Sequence, residues 1–231
     1  MKVAIIPARG GSKRILRKNI RQFCGKPMIA WSIEAALNSA CFDRIIVSTD
    51  DSEIAEVARQ YGAEVPFMRP AELSDDHAGT IPVIHHAIKW FNQRKQHVEQ
   101  ACCLYATAPF VTGEDLRRGL DVLRDNACAY AFSVTSYAFP IQRAIRLTPA
   151  GRVEMFNAEH FETRSQDLEE AFHDAGQFYW GHADSWLQGK LIFGPDSLPV
   201  ILPRHRVQDI DTIEDWVRAE WMFKAMKDSQ I

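Results

Sequence analysis

Residues 5–20 of the chain read Ile5-Ile6-Pro7-Ala8-Arg9-Gly10-Gly11-Ser12-Lys13-Arg14-Ile15-Leu16-Arg17-Lys18-Asn19-Ile20. An apolar run changes here into a small, glycine-bearing and strongly basic loop, and a helix-like segment follows at residues 29–37. In α/β proteins, a strand, a loop of this kind and then a helix hold a polyanion, because paired glycines let backbone amides approach phosphate oxygens. The loop's cations supply charge and hydrogen-bond donors: Arg9, Lys13, Arg14, Arg17 and Lys18.

The loop differs from the two common phosphate-binding motifs. No Gly-Lys-Ser/Thr closes it, as a Walker A loop requires, and no G-x-G-x-x-G is present. A solvated basic turn is the alternative interpretation of the same residues.

Composition restricts the class of protein. The chain has 231 residues, 46% of them hydrophobic and 25% charged, which suits one globular domain. A net charge of −3 argues against a nucleic-acid partner bound through a global basic field. No apolar run reaches the length of a membrane span, and the five cysteines are scattered without a C-x-x-C pair. We therefore expect a reduced, cytoplasmic protein with no membrane partner.

Strand and helix patterns alternate along the chain. Strands are predicted over residues 3–7, 44–48, 101–105 and 131–135, and helices over residues 29–37, 53–61, 81–91, 113–123 and 212–227. Continuous apolar strands between amphipathic helices predict a Rossmann-like α/β fold, a mostly parallel sheet with helices on both faces. Ligands bind beyond the carboxyl ends of such strands, where the basic loop lies. Asp50-Asp51, after the second strand, is interpreted as the start of a helix.

Residues 140–173 interrupt this alternation. Segments 144–147 and 152–156 flank Pro149-Ala150-Gly151 and predict a hairpin, and residues 159–170 are polar and charged. We interpret the region as an arm that leaves the sheet within a single domain of residues 1–231. A flexible surface loop is the alternative.

A pair of aspartates near the carboxyl terminus suggests a metal site. In the run Gln208-Asp209-Ile210-Asp211-Thr212, an extended backbone points Asp209 and Asp211 to the same side. Two carboxylates suit Mg²⁺, which takes its other ligands from water and phosphate. The alternative is that Asp211 or Thr212 only caps the last helix.

These motifs also carry a family resemblance. Ala8-Arg9-Gly10-Gly11-Ser12-Lys13, Lys18-Asn19 and Gly25-Lys26-Pro27-Met28 resemble the opening of the cytidylyltransferases that activate nine-carbon α-keto acid sugars such as sialic acid. The likeness spans nearly the whole chain. It implies a nucleotide-diphospho-sugar transferase type of fold, CTP and an acidic nine-carbon sugar as substrates, Mg²⁺ on the paired aspartates, and an arm that packs on a second subunit in a homodimer.

The resemblance implies roles for individual residues. Lys18 and Arg9 are the expected catalytic residues, near the phosphates. The segment from Arg69-Pro70 through residues 72–80 resembles a second nucleotide-contacting region. The expected nucleotide-binding residues are Ala8, Arg9, Gly10, Gly11, Ser12, Lys18, Asn19, Arg69, Thr80 and Tyr105. Asn19 as a turn residue and Arg69 as a surface charge are the alternatives.

Tyr105 marks a departure from the sialic acid enzymes. It lies in Leu104-Tyr105-Ala106-Thr107-Ala108-Pro109-Phe110, where those enzymes usually have a glutamine that reads cytosine. A tyrosine cannot make the two-point contact of an amide. The Tyr-Ala-Thr-Ala-Pro-Phe form resembles the pseudaminic acid branch of the family.

The residues expected to bind the sugar come later in the chain. Guanidinium and amide groups suit a carboxylate and N-acyl groups, and the candidates are Gln142, Arg143, Arg164, Asp174 and Gln177. The alternative is that Phe178 and Trp180 beside them belong to the core and that Arg164 is solvated.

The leading hypothesis is transfer of CMP from CTP to the anomeric hydroxyl of pseudaminic acid. The same reaction on N-acetylneuraminic acid, legionaminic acid or Kdo stays open. A nucleotide-sugar-dependent glycosyltransferase and a non-catalytic nucleotide-binding protein are more remote alternatives. A glycosyltransferase D-x-D normally follows a mid-chain strand, whereas this pair precedes the last helix.

Overall fold

The computed structural model describes residues 1–75 and 79–229. Strands occur at β1 (Lys2–Pro7), β2 (Gln22–Phe23), β3 (Lys26–Pro27), β4 (Arg44–Ser48), β5 (Gln100–Leu104), β6 (Tyr130–Ser136), β7 (Ile145–Leu147), β8 (Val153–Met155), β9 (Phe172–His182) and β10 (Ser197–Ile201). The α-helices are α1 (Met28–Ser39), α2 (Ser52–Gln60), α3 (Thr80–Asn92), α4 (Gly113–Asp125), α5 (Ala183–Leu187) and α6 (Ile213–Ser229).

A six-stranded sheet with the order β10-β6-β9-β5-β1-β4 organises the chain. β1 pairs in parallel with β4 and β5, and β6 pairs in parallel with β10. β9 lies between β5 and β6 and is antiparallel to both. The predicted fold class, a mostly parallel sheet with helices, is therefore confirmed.

The first strand shows why its sequence is apolar after Lys2. Side chains alternate between the two faces of a strand. Ala4 and Ile6 enter a core formed with α1, α2 and α4, whereas Val3 and Ile5 enter a second core formed with α3 and α5. All four are fully buried, and each isoleucine contributes roughly 1.5–3 kcal/mol through burial. A strand covered on both faces can carry no polar side chain without cost.

Strand β9 was missed by the sequence prediction, which assigned its residues only to a sugar pocket. Phe178 and Trp180 are fully buried within it, so the alternative that they belong to the core is confirmed. Helix α4 packs closely on them. A Cβ at Gly119 would lie 2.7 Å from Phe178 and from Trp180, so only glycine fits at this crossing. The shorter α5 and β10 were also missed.

The chain between β6 and β9 leaves the sheet. It contains the predicted hairpin, with Ile145 opposite Met155 and Leu147 opposite Val153 in an antiparallel pair. Gly151 adopts a φ of 71° in the connecting turn, a conformation that glycine adopts without strain. The hairpin prediction is therefore confirmed.

The carboxyl ends of β1, β4 and β5 lie side by side, because these strands are adjacent and parallel. The segments after them begin at Ala8, Thr49 and Tyr105, and together they form one edge of the sheet. Within the described residues, no helix is both long and apolar enough to cross a membrane.

Candidate active site

A cleft with a volume of about 260 Å³ opens at this edge of the sheet. Its walls come from the basic loop, the segment around residue 69, the start of α3 and the end of β5. The residues lining it are Pro7, Arg9, Ser12, Lys13, Arg14, Ile15, Lys18, Asn19, Arg69, Gly79, Thr80, Val83, Tyr105, Ala106 and Thr107. Seven of the ten expected nucleotide-binding residues are therefore together here.

The side chain of Asn19 forms a hydrogen bond across the basic loop. Its side-chain amide donates to the carbonyl of Arg9 at 2.9 Å, and its own carbonyl accepts from the amide of Ile29 at 2.8 Å. Asn19 is 7% exposed, so these bonds hold the beginning of the loop, its end and the start of α1 together. The side chain has a clear structural role in addition to lining the cleft.

Lys18 joins the basic loop to the carboxyl-terminal part of the chain. Its ammonium group donates to the carbonyl of Ile210 at 2.6 Å and lies 3.4 Å from Oδ1 of Asp211. Arg14 forms a second ion pair with Asp211, at 2.9 Å. The predicted phosphate loop therefore contacts the segment that carries the predicted metal aspartates.

The extended backbone before α6 gives the paired aspartates their orientation. Ile210 is buried in a small core with Trp216 of α6, so Asp209 and Asp211 project to the other side. The helix is capped by Thr212, whose hydroxyl accepts from the amide of Asp215 while the Asp215 carboxylate accepts from the amide of Thr212. The carboxylate of Asp211 is therefore not needed as a cap.

The charge around Asp209 fits a bound cation. Burial and the neighbouring Asp211 raise the pKa of Asp209, and Lys18 partly opposes this effect. Clusters of three or more metal-ligating side chains do not occur among the described residues. Two carboxylates alone match the donor set of Mg²⁺, which keeps several ligands from water or substrate phosphate.

Arg69 is a buried cation at the side of the cleft. It is 6% exposed, and its Nε and Nη2 make no hydrogen bond with any described residue. Asp50 is its ion-pair partner at 3.8 Å, beyond hydrogen-bonding distance. Burial lowers the pKa of Arg69, against the attraction of Asp50. The interpretation as a plain surface charge is wrong, and donors held without partners beside a cleft are ready for an anion.

Tyr105 and Thr80 form a polar pair in the cleft, with their hydroxyls 3.0 Å apart. Tyr179 packs its ring 5.4 Å from that of Tyr105 and donates its hydroxyl to Asp174 at 2.5 Å. Burial raises the pKa of Tyr105. Tyr105 is therefore a neutral phenol anchored by Thr80 and backed by β9.

Three of the expected nucleotide-binding residues do not line the cleft. Ala8 is buried in the core, and Gly10 donates its amide to Asp50 at 2.9 Å. Gly11 is exposed. In the expected segment 72–80, residues 76–78 lie outside the described part of the chain.

The expected sugar-binding residues do not line the cleft either. Gln142 donates to the carbonyl of Glu169, Arg143 is exposed, and Arg164 pairs with Asp167 at 2.7 Å. Asp174 and Gln177 lie on β9, closer to the cleft, because the Gln177 carbonyl accepts from the amide of Tyr105.

Residues 3–184 match the family described as Cytidylyltransferase. The chain belongs to the cytidylyltransferase family. It is 47% identical over 227 residues to the pseudaminic acid cytidylyltransferase of Campylobacter jejuni subsp. jejuni serotype O:2, an alignment that covers 98% of each chain. It is 31% identical to the CMP-N,N'-diacetyllegionaminic acid synthase of Legionella pneumophila, over 99% of each chain.

Solved structures support the fold. A CMP:2-keto-3-deoxy-manno-octonic acid synthetase complexed with CTP superposes with a TM-score of 0.69 at 18% identity, covering 97% of this chain and 98% of that one. A 4-diphosphocytidyl-2C-methyl-D-erythritol synthase from Anaerococcus prevotii gives a TM-score of 0.64 at 13% identity.

Sequence reasoning missed the contact of Asp50 and Asp51 with the basic loop. Asp51 begins α2, as expected, since it accepts from the amides of Glu53 and Ile54. Both carboxylates also contact the basic loop, Asp50 at Gly10 and Asp51 at Arg17. The available signal was their position after the strand that neighbours β1.

Proposed function

We propose that the protein transfers CMP from CTP to the anomeric hydroxyl of pseudaminic acid, with release of pyrophosphate. One observation carries the proposal: Lys18, which lines the cleft with the other cations of the basic loop, also contacts the Ile210 carbonyl and Asp211 in the segment of the paired aspartates. The 47% identity to the Campylobacter pseudaminic acid enzyme supports the choice of sugar.

The residues of the cleft suit nucleotidyl transfer. The anomeric oxygen would form a bond to the α-phosphorus of CTP, the bond from that phosphorus to the bridging oxygen would break, and the hydroxyl proton would pass to solvent. Negative charge grows on the departing pyrophosphate. Arg9, Lys18 and Arg69 line the cleft and would stabilise this charge, because fixed cations in a cleft need no rearrangement during the reaction.

Asp209 and Asp211 are the residues proposed to hold Mg²⁺. Bound there, the ion would neutralise phosphate charge beside Lys18. The nearness of the two carboxylates supports this assignment, since Asp211, after burial, is the group that raises the pKa of Asp209.

Thr80 and Tyr105 are proposed to face the nucleotide, and Asp174 and Gln177 the sugar. Gln142, Arg143 and Arg164 are farther along the arm. For these three, we propose a role in the sugar site of an assembled homodimer.

The arm of residues 140–173 supports the proposed homodimer through its exposed apolar side chains. Leu147 is 77% exposed and Phe161 is 70% exposed, more than a lone subunit normally leaves in water. Light scattering should give twice the chain mass of 26.3 kDa. A mass of one chain at working concentration would contradict the homodimer.

We also propose that the enzyme works in the cytoplasm, where CTP is available. Activity recovered in the membrane fraction of a cell lysate would contradict this placement.

The substrate is tested by pyrophosphate release with Mg²⁺ across a panel of sugars. The panel contains pseudaminic, legionaminic and N-acetylneuraminic acids and Kdo, each offered with CTP and with UTP. We expect release with CTP and pseudaminic acid. Release with a different sugar would keep the reaction and reject the proposed substrate. If a folded sample releases no pyrophosphate with any sugar of the panel, the proposed reaction is rejected.

A further inference from the structure

Arg17 differs from the other cations of the basic loop because it does not line the cleft. Its guanidinium donates from Nη1 to Oδ2 of Asp51 at 2.5 Å and from Nη2 to Oδ1 of Asp51 at 3.1 Å. Nη2 also pairs with Glu53. The expectation that Arg17 supplies charge to phosphate therefore does not hold, since these donors are committed to acidic side chains.

The backbone of Arg17 is also unusual. Its φ is 57°, in the left-handed region that non-glycine residues rarely adopt. The carbonyl of Arg17 accepts from the amides of Ile20 and Arg21, which closes a tight turn around Lys18. A strained residue beside a functional side chain persists where its surroundings hold it in place.

Asp51 holds both ends of the basic loop. Besides capping α2 and binding Arg17, it packs against Gly10, where a Cβ would lie 2.7 Å from Oδ2 of Asp51. Hydrogen bonding to Arg17 lowers the pKa of Asp51, and hydrogen bonding to Asp51 raises the pKa of Arg17. Both groups therefore stay charged across the neutral range.

We propose that the Arg17–Asp51 ion pair is a positioning device that fixes the turn and thereby aims the ammonium group of Lys18 at the phosphates. The proposal rests on the proposed function. Arg17 itself touches no substrate and acts through its neighbour.

Two variants remove the pair with little risk to the fold. Asp51→Asn keeps the helix cap, since asparagine caps as well as aspartate, but loses the charge that holds Arg17. Arg17→Gly relieves the left-handed backbone while it removes the guanidinium. We expect each to lower kcat by about tenfold with a KM for CTP within about twofold, because misaimed groups lose transition-state stabilisation before ground-state binding.

Controls separate positioning from general damage. Arg44→Met removes an arginine that is 29% exposed and paired with Glu64, against 31% for Arg17, and it should leave kcat unchanged. Arg17→Lys should restore part of the lost rate. The double variant Asp51→Asn with Arg17→Gly should be no slower than the worse single variant, since both remove one interaction.

A second measurement does not depend on catalysis. Limited acylation of lysines, followed by mass spectrometry of peptides cut at neither lysine nor arginine, reports how well Lys18 is held. Lys26, paired with Glu34, is the reference, since it is 21% exposed against 19% for Lys18. We expect acylation of Lys18 relative to Lys26 to rise severalfold in both variants.

Full kcat in either variant, or unchanged acylation of Lys18, would overturn the proposal. A wild-type protein that releases no pyrophosphate would instead reject the proposed function, while the acylation result would still decide whether the pair positions Lys18.

Discussion

At the scale of single residues, Lys18 connects the basic loop to the segment of the paired aspartates. It lies 2.6 Å from the Ile210 carbonyl and 3.4 Å from Asp211. Lys18→Ala is expected to lower kcat by about 10²–10³-fold, because a preorganised charge at the phosphates is lost. Lys26→Ala is the matched control. Steady-state pyrophosphate release measures the effect, and an unchanged kcat would remove Lys18 from the mechanism.

Substitution of Arg69 should affect the stability of the protein and its binding of CTP in different ways. Its guanidinium is buried without full hydrogen bonding, which costs free energy in the protein without nucleotide. Arg69→Met is therefore expected to leave the melting temperature unchanged or raise it, and to weaken CTP binding by about tenfold. Thermal unfolding and titration calorimetry measure the two effects. Unimpaired CTP binding would show that Arg69 has no role in binding the nucleotide.

The raised pKa of Asp209 predicts how magnesium binding depends on pH. A carboxylic acid with a raised pKa takes up its proton at a higher pH than an ordinary aspartate, and only the ionised form binds the metal. The Mg²⁺ concentration for half-maximal binding should therefore increase as the pH falls from about 7 to about 4. Calorimetric Mg²⁺ titrations at several pH values measure it. A constant affinity, with the fold intact, would argue against Asp209 as a ligand.

At the scale of elements, two residues at the start of α6 differ in role: Thr212 is structural, and Asp211 is proposed to be functional. Thr212 caps the helix through Asp215, whereas Asp211 faces Lys18 and Arg14. Thr212→Ala should destabilise the fold by about 1 kcal/mol, or about 2–4 °C in melting temperature, with kcat nearly unchanged. Asp211→Ala should lower kcat and leave the melting temperature nearly unchanged. Melting curves and kinetics on both variants test this, and a large stability loss in Asp211→Ala alone would reverse the assignment.

The elements that the sequence predicted well are those with one clear environment. β1 and β5 are apolar after their first residues because both of their faces are covered, and α2 and α4 have strongly amphipathic sequences that begin at polar caps, Asp51 and Thr112. β9 was missed because His173 and Asp174 near its start are polar and partly exposed, whereas its later residues belong to the core. A strand whose burial changes along its length shows no single hydrophobic pattern in the sequence.

The site was partly predictable for a similar reason. The basic loop and Asp209-Ile210-Asp211 are local motifs that the sequence shows directly, and they meet through Lys18 although β10 and β1 are not neighbours in the sheet. The roles of Arg17 and Asp51 were not, because an arginine in a basic loop has the same sequence signature whether it faces a ligand or a carboxylate. Only the three-dimensional contact distinguishes the two.

At the scale of the whole molecule, the segments after the parallel strands form one cleft, and the carboxyl-terminal segment reaches it through the contacts of Lys18 and Arg14 with Asp211. Nucleotidyl transfer is the reaction proposed for this cleft. The most direct test follows labelled phosphorus from CTP in the presence of Mg²⁺ and pseudaminic acid. Label at the α-phosphate should appear in the sugar nucleotide, and label at the γ-phosphate should appear only in pyrophosphate. Transfer of γ-label to the sugar, or no transfer of α-label by folded protein, would contradict transfer of CMP from CTP.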